Sequence, residues 1–285
     1  MSQKTAPAWV VPVMRAGYSS RAAVYAIVGG LALTAAIHGG RAEGTTNALA
    51  DLKSQPFGLW ALWLIAIGLF AYALWRFIAA GYDLERRGDD GSGLFQRGGL
   101  IVTGIIHAGL GVSVAGLAMG DSGGGSAAQD WTARILQMQN GKWIAAALGA
   151  IVVGSGIYYM HKGWSKKYKR HIRVTPTTQK LDPALQAGFL AQGALIAIIG
   201  ALIISAAMTT SPENAGGIGK ALDQLRSAPY GRVLLGVVAL GLIGFALENL
   251  VEAIYRIVPA RAGSDVETLA MRAKAKAKKE AAKAS

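Results

Sequence analysis

The sequence predicts an all-α integral membrane protein: six transmembrane helices in three repeated hairpins, with a pseudo-threefold arrangement of the hairpins as the expected packing. Three observations predict it. One pattern, an apolar helix followed by a short polar excursion and a second apolar helix, occurs at residues 17–81, 99–164 and 188–254 of the 285-residue chain. Hydrophobic residues make up 52% and charged residues 16%, well under the roughly 25% charged residues of a soluble domain. Lysine and arginine are also distributed unevenly between the two sets of loops.

The elements follow in order. Residues 1–16 form an N-terminal segment whose apolar run, Ala8 to Met14, is broken by Pro12. That run is too short for the core of a cleavable signal. It reads either as an irregular lead-in or as a short interfacial helix. Spans are expected at 17–38, 58–80, 98–119, 142–161, 187–208 and 231–254. Each approaches or exceeds the roughly 20 residues that a hydrocarbon core of about 30 Å requires. Amphipathic stretches precede the second helix of each hairpin: Ala48 to Leu52, Ile135 to Met138, and Ala221 to Leu225. Pro56 and Pro229 end two of them, which suits short surface helices in the membrane interface. Residues 259–285 form a basic tail.

Orientation follows from the cations. The N-terminal segment, the loops between hairpins and the C-terminal end hold 21 of the 29 basic residues, whereas the loops within hairpins hold seven. The excess marks the cytoplasmic side, so both termini are expected there, as an even number of spans demands. The net charge of +13 is then mostly a topology signal, and its nucleic-acid reading loses force.

The copies align residue by residue. First helices carry Gly17, Gly99 and Gly188 at their start, and Gly29, Gly111 and Gly200 twelve residues on. Second helices open at Gly58, Gly141 and Gly231, and their shared face holds Gly68 and Trp75, then Ile151, Gly154 and Tyr158, then Gly241, Gly244 and Glu248. Small residues on one face allow close helix approach, so Gly17, Gly29, Gly99, Gly111, Gly188, Gly200, Gly241 and Gly244 are the expected packing positions.

The chain resembles a known family, domain of unknown function 1206. The resemblance rests on Arg15-x-Gly17-Tyr18-x-x-Arg21 with Tyr25, and on the stretches from Ala48 through Pro56 to Gly58 and from Ala221 through Pro229 to Gly231. It covers residues 15–258 and implies three tandem two-helix units of the kind found in bacterial membrane proteins; the cytoplasmic (inner) membrane is the expected location. It implies no activity. Copy two departs most: no proline precedes Gly141, and no aromatic follows Gly99. Thr103 and Gln192 stand where the first copy has Arg21.

If three parallel repeats surround an axis along the membrane normal, equivalent residues ring it. Arg21, Thr103 and Gln192 form one such ring; Tyr25, His107 and Ile196 form the next; Trp75, Tyr158 and Glu248 form a third. Linear packing of the hairpins is the alternative. Arg21, Arg76, Thr103, His107, Gln192, Glu248 and Asn249 are the candidate polar cluster inside the membrane, where ionisable groups face the bundle and find partners. The cluster is either a structural ion pair with helix-to-helix hydrogen bonds or a site that handles substrate or protons. Pairing of Glu248 with Arg21 or Arg76 would join the third hairpin to the first.

No catalytic signature is legible. His38, His107, His161 and His171 lack metal-ligand spacing, and the Gly123 to Gly125 run lacks the Lys-Ser/Thr of a phosphate loop. With no cysteine in the chain, disulfides and thiolate ligands are excluded. No cofactor or metal is expected. Lys274, Lys276, Lys278 and Lys279 in the tail point to anionic lipid head groups. The expected role is non-enzymatic, structural or accessory, beside lipid or a larger membrane partner. The rival is a small-solute or ion carrier or channel along the axis.

Overall fold

The computed structural model describes residues 7–40, 44–121, 127–260, 268, 271, 272, 274–276, 279 and 282. The Gly123 to Gly125 loop and Lys278 lie outside them. The helices run α1 Val10–His38, α2 Thr45–Lys53, α3 Gly58–Gly81, α4 Gly91–Met119, α5 Ala127–Leu136, α6 Gly141–Trp164, α7 Pro176–Lys180, α8 Asp182–Thr209, α9 Ile218–Ser227 and α10 Gly231–Tyr255. Among the described residues the β structure amounts to two isolated bridges, Ile172 with Arg256 and Arg173 with Thr268.

Six helices, α1, α3, α4, α6, α8 and α10, are long and apolar enough to cross a membrane. α1 and α4 each begin seven residues earlier than hydropathy places them, and α8 begins five earlier. α1 starts at Val10 and runs through Pro12, so the N-terminal segment is neither irregular nor a separate interfacial helix. Proline fits there because the N–H groups of the first turn have no intrahelical partner to lose. α4 starts at Gly91, where the Asp90 side chain accepts from Gly93 N at 3.2 Å. A side-chain cap extends a helix beyond its apolar stretch.

One local device recurs at the start of each second helix. Phe57, Asn140 and Tyr230 all adopt left-handed backbone, with φ of 62°, 63° and 58°. The glycine that follows each sits directly on a carbonyl oxygen of the preceding helix: Leu52, Ile135 and Arg226. A side chain there would collide, so glycine opens all three helices. The short helices α2, α5 and α9 each end in this turn. In the second copy the helix covers Ala127–Leu136, ahead of the stretch expected from 135 to 138, whose later residues form the turn itself.

The long helices pack as an arc. α4 packs on α3, α3 on α1, α1 on α10, α10 on α8 and α8 on α6. The first and third repeats therefore touch through α1 and α10, which a row in chain order would not give. The middle repeat is different: α4 and α6 make no comparable contact with each other. The ring is open between the helices of the second copy, and a full threefold arrangement is not established.

The glycines explain the opening. In the first repeat a Cβ on Gly17 would lie 2.5 Å from Tyr72 Cα, and in the third a Cβ on Gly188 would strike the Phe245 backbone. Gly68 meets Ser20, and Gly241 meets Ala191, in the same two repeats. These are equivalent contacts at backbone range. In the middle repeat Gly99 and Gly154 meet nothing within 4 Å, and Ile151, standing where the others have Gly68 and Gly241, is exposed. A branched side chain stands where the other two copies have the glycine of a close crossing. Gly99 is thus not a packing position.

Its helices pack outward instead. Gly104 and Gly111 of α4 receive the rings of Phe77 and Phe70 from α3. Gly149, Gly156 and Gly163 of α6 lie against α8, where Gly193 and Gly200 face them. Gly29 approaches Leu242 and Ile243 of α10, and Gly244 the Ala184 carbonyl of α8.

Candidate functional site

The close approach at Gly17 builds the centre of the bundle. It brings Tyr72 of α3 beside Arg21, one turn along α1, and the Arg21 Nη1 donates to the Tyr72 hydroxyl at 2.7 Å. Arg76, one turn further along α3, donates its Nε to the same oxygen at 2.7 Å and its Nη2 to the Tyr18 hydroxyl at 3.2 Å. One neutral hydroxyl thus serves two guanidinium groups. The Arg21 guanidinium carbon lies 4.5 Å from the Tyr72 ring centre and 5.6 Å from those of Tyr25 and Phe245, within range of a cation–π attraction.

The other sequence-predicted residues divide around this centre. Gln192 is buried, and its Nε2 donates to the Tyr25 hydroxyl at 3.1 Å, joining α8 to α1. The His107 ring packs 4.6 Å from that of Tyr72. Its Nδ1 lies 2.8 Å from the Thr103 carbonyl; a carbonyl only accepts, so Nδ1 carries the proton. Thr103 itself stays out, its hydroxyl bonded at 2.7 Å to the Gly99 carbonyl of its own helix. The expected ring of Arg21, Thr103 and Gln192 therefore fails at Thr103. The ring of Trp75, Tyr158 and Glu248 fails at Tyr158, which is exposed while Trp75 and Glu248 are buried. Tyr159 takes the inward place, 6.1 Å from Phe189 and 6.4 Å from Phe245. Both departures lie in the open middle repeat.

Glu248 and Asn249 are buried. Asn249 Nδ2 donates to the Phe245 carbonyl at 2.8 Å, and its Oδ1 has no partner. Glu248 makes no ion pair among the described residues, so its expected pairing with Arg21 or Arg76 is not formed. Arg76 finds Glu85 instead, at 3.6 Å.

That glutamate heads a network at the end of the bundle where α1 begins and α10 ends. Glu85 lies just beyond α3 and is buried. It accepts from Arg87 Nε at 3.0 Å and from Arg256 Nη2 at 2.6 Å. Arg256 also bonds Glu252, one turn back on α10. Asp83 and Arg86, at φ of 47° and 52°, fold the chain back so that Glu85 points inward; the Asp83 carboxylate accepts from the Arg87 and Gly88 amides at 2.7 and 2.9 Å. The network ties the first repeat to the third. Burial alone would raise the Glu85 pKa, but Arg256, Arg76 and Arg87 hold its carboxyl well below the ordinary range. His171, beside this network, is pushed down to about 4 by burial, with Arg256 adding to it. Sequence reading counted Arg87 and Arg256 as topology signals and missed Glu85. The repeat register held a clue, since Glu85, Tyr168 and Val258 occupy equivalent positions, 27 residues after Gly58, Gly141 and Gly231, and all three are buried.

Among the described residues no group of three His, Asp or Glu side chains could hold a metal ion. The arrangement holds buried charge and joins helices by hydrogen bonds.

Comparison with known proteins agrees with the repeat. An uncharacterized protein of Bacillus subtilis (strain 168), YxxB, is 30% identical over 266 residues, covering 90% of this chain and 94% of that protein. No solved structure matches the chain significantly. The family model Domain of Unknown Function (DUF1206) matches three times, at residues 16–83, 98–166 and 187–256, and the chain belongs to that family.

Proposed function

We propose that the protein is a non-enzymatic accessory component of the bacterial cytoplasmic membrane, with both termini inside, that binds anionic lipid and serves a larger membrane partner. The packed interior carries this reading. Tyr18, Tyr72, Trp75, Phe189 and Phe245 are fully buried and fill the bundle toward the terminal end, over the Glu85 network. A polar solute needs a wetted, polar-lined path, and the cavity beside Arg21 has a volume of about 40 Å3.

Exposed Lys274, Lys276 and Lys279 support the lipid contact, at about 1 kcal/mol for each basic residue near an anionic surface. The orientation rests on the basic-residue bias. Gentle solubilisation of native membranes should bring down a partner in fixed stoichiometry. Solute flux into liposomes by the purified protein alone, with no partner recovered, would replace the accessory role with the carrier.

A further inference from the structure

We propose that a small anion of halide size binds inside the bundle, in the cavity beside Arg21. This goes beyond the accessory role and does not depend on it. Arg21 is 5% exposed and sits well within a spanning helix. It makes no ion pair among the described residues. Its Nη1 hydrogen bond goes to the Tyr72 hydroxyl, a neutral group that Arg76 also uses. Its Nε is buried without a partner. Arg76 has Glu85 to balance it; Arg21 has no such contact, although Glu248 acts on it across the interior. An uncompensated guanidinium at this depth is costly, and an anion in contact removes that cost.

The cavity suits such an anion in size and chemistry. Its volume is about 40 Å3, and Arg21, Tyr25, Thr45, Leu69, His107 and Leu110 are among its walls. One water needs about 10–15 Å3 on this measure, so the space accepts roughly three waters, or a halide with partial hydration. It is too small for a lipid head group. No wall residue carries a negative charge. The Tyr25 oxygen already accepts from Gln192, which leaves its own proton to donate. Thr45 adds a hydroxyl, and His107 has its Nδ1 proton committed to the Thr103 carbonyl. Leu69 and Leu110 supply the apolar remainder, which keeps the local dielectric low and strengthens the pull of Arg21.

The test uses the full chain in zwitterionic nanodiscs with gluconate as the only anion. Adding chloride or bromide should raise the unfolding midpoint with the logarithm of concentration, as linkage requires. Crystals grown in bromide should show anomalous density in contact with the Arg21 guanidinium. A midpoint indifferent to halide, or a cavity holding water alone, overturns the proposal. So does stabilisation by phosphatidylglycerol but not by chloride. Because Arg21→Gln removes a buried partner of Tyr72 and can fail to fold, Leu110→Phe provides the second variant. Its ring fills the cavity and leaves Arg21 in place. It should keep the fold, lose the bromide peak and lose the halide response; a response undiminished in Leu110→Phe places the effect elsewhere and overturns the site.

Discussion

Glu85 shows how much one residue can hold. Its carboxylate sits between Arg76 and Arg87, close in sequence, and Arg256, 171 residues further along the chain. Removing one member of a buried ionic network strands the others, at about 3–5 kcal/mol. Glu85→Gln should therefore lower the thermal midpoint sharply in detergent, whereas Asp89→Asn, whose carboxylate is exposed, should change it little. The pH dependence follows from the same group and from His171. A depressed carboxylate contributes stability above the unfolded pKa of about 4.3 and loses it as pH falls below that value. Histidine in the unfolded chain takes up protons below about pH 6.5, while folded His171 resists until about 4. The unfolded state then binds more protons, so stability falls as pH drops through that window. His171→Gln should flatten the midpoint-versus-pH curve between about 6.5 and 4 and leave the steeper acid limb, set by Glu85, in place. An unchanged curve would remove His171 from the account.

At the scale of the helix, the three copies share a sequence pattern but not a packing partner. α1 and α3, like α8 and α10, cross at glycine with backbone against backbone; α4 and α6 do not. This gives a paired prediction. Gly17→Val puts atoms 2.5 Å from the Tyr72 backbone and should destabilise by about 1–3 kcal/mol or more. Gly99→Val, at the equivalent position of the middle copy, meets open space and should cost little. Thermal melts of the two purified variants measure the difference directly. Equal losses would mean that α4 and α6 close on each other in the membrane.

Across the whole molecule, the arc makes a claim that cross-linking can check, and the absence of cysteine makes engineered pairs clean. A cysteine at Gly29 of α1 with one at Leu242 of α10 spans an observed contact at Cβ range and should link readily under mild oxidation. Cysteines at Thr103 of α4 and Ser155 of α6, the equivalents of Arg21 and Tyr72, should not link in the intact protein. Orientation is tested separately. A reporter active only outside the cytoplasm should work when fused at Thr45, Gly124 or Ala215, and fail at Gly91, Thr177 or Ser285. Two reversed fusions would sink the assignment of both termini to the inside.

What was legible in the sequence is what depends on short stretches. A run of some 20 apolar residues is long enough to span whatever its neighbours do, so six helices and three copies were readable, as was the glycine that opens each second helix. The polar cluster was legible in part: Arg21, Gln192, His107 and buried Glu248 lie near the centre, and Thr103 does not. The tertiary structure alone decided the rest, because it depends on which faces come within contact distance. Ile151 looks like any lipid-facing residue until its counterparts Gly68 and Gly241 are seen at helix crossings, and that one branched side chain goes with the opening of the middle copy. Glu85 lies beyond an apolar span in a charged loop, where hydropathy reads it as solvated. Two residues in left-handed backbone turn it inward, where Arg256 from the far end of the chain joins the nearby Arg76 and Arg87 around it. No local pattern carries that information, since the partners are brought together only when α1 packs against both α3 and α10.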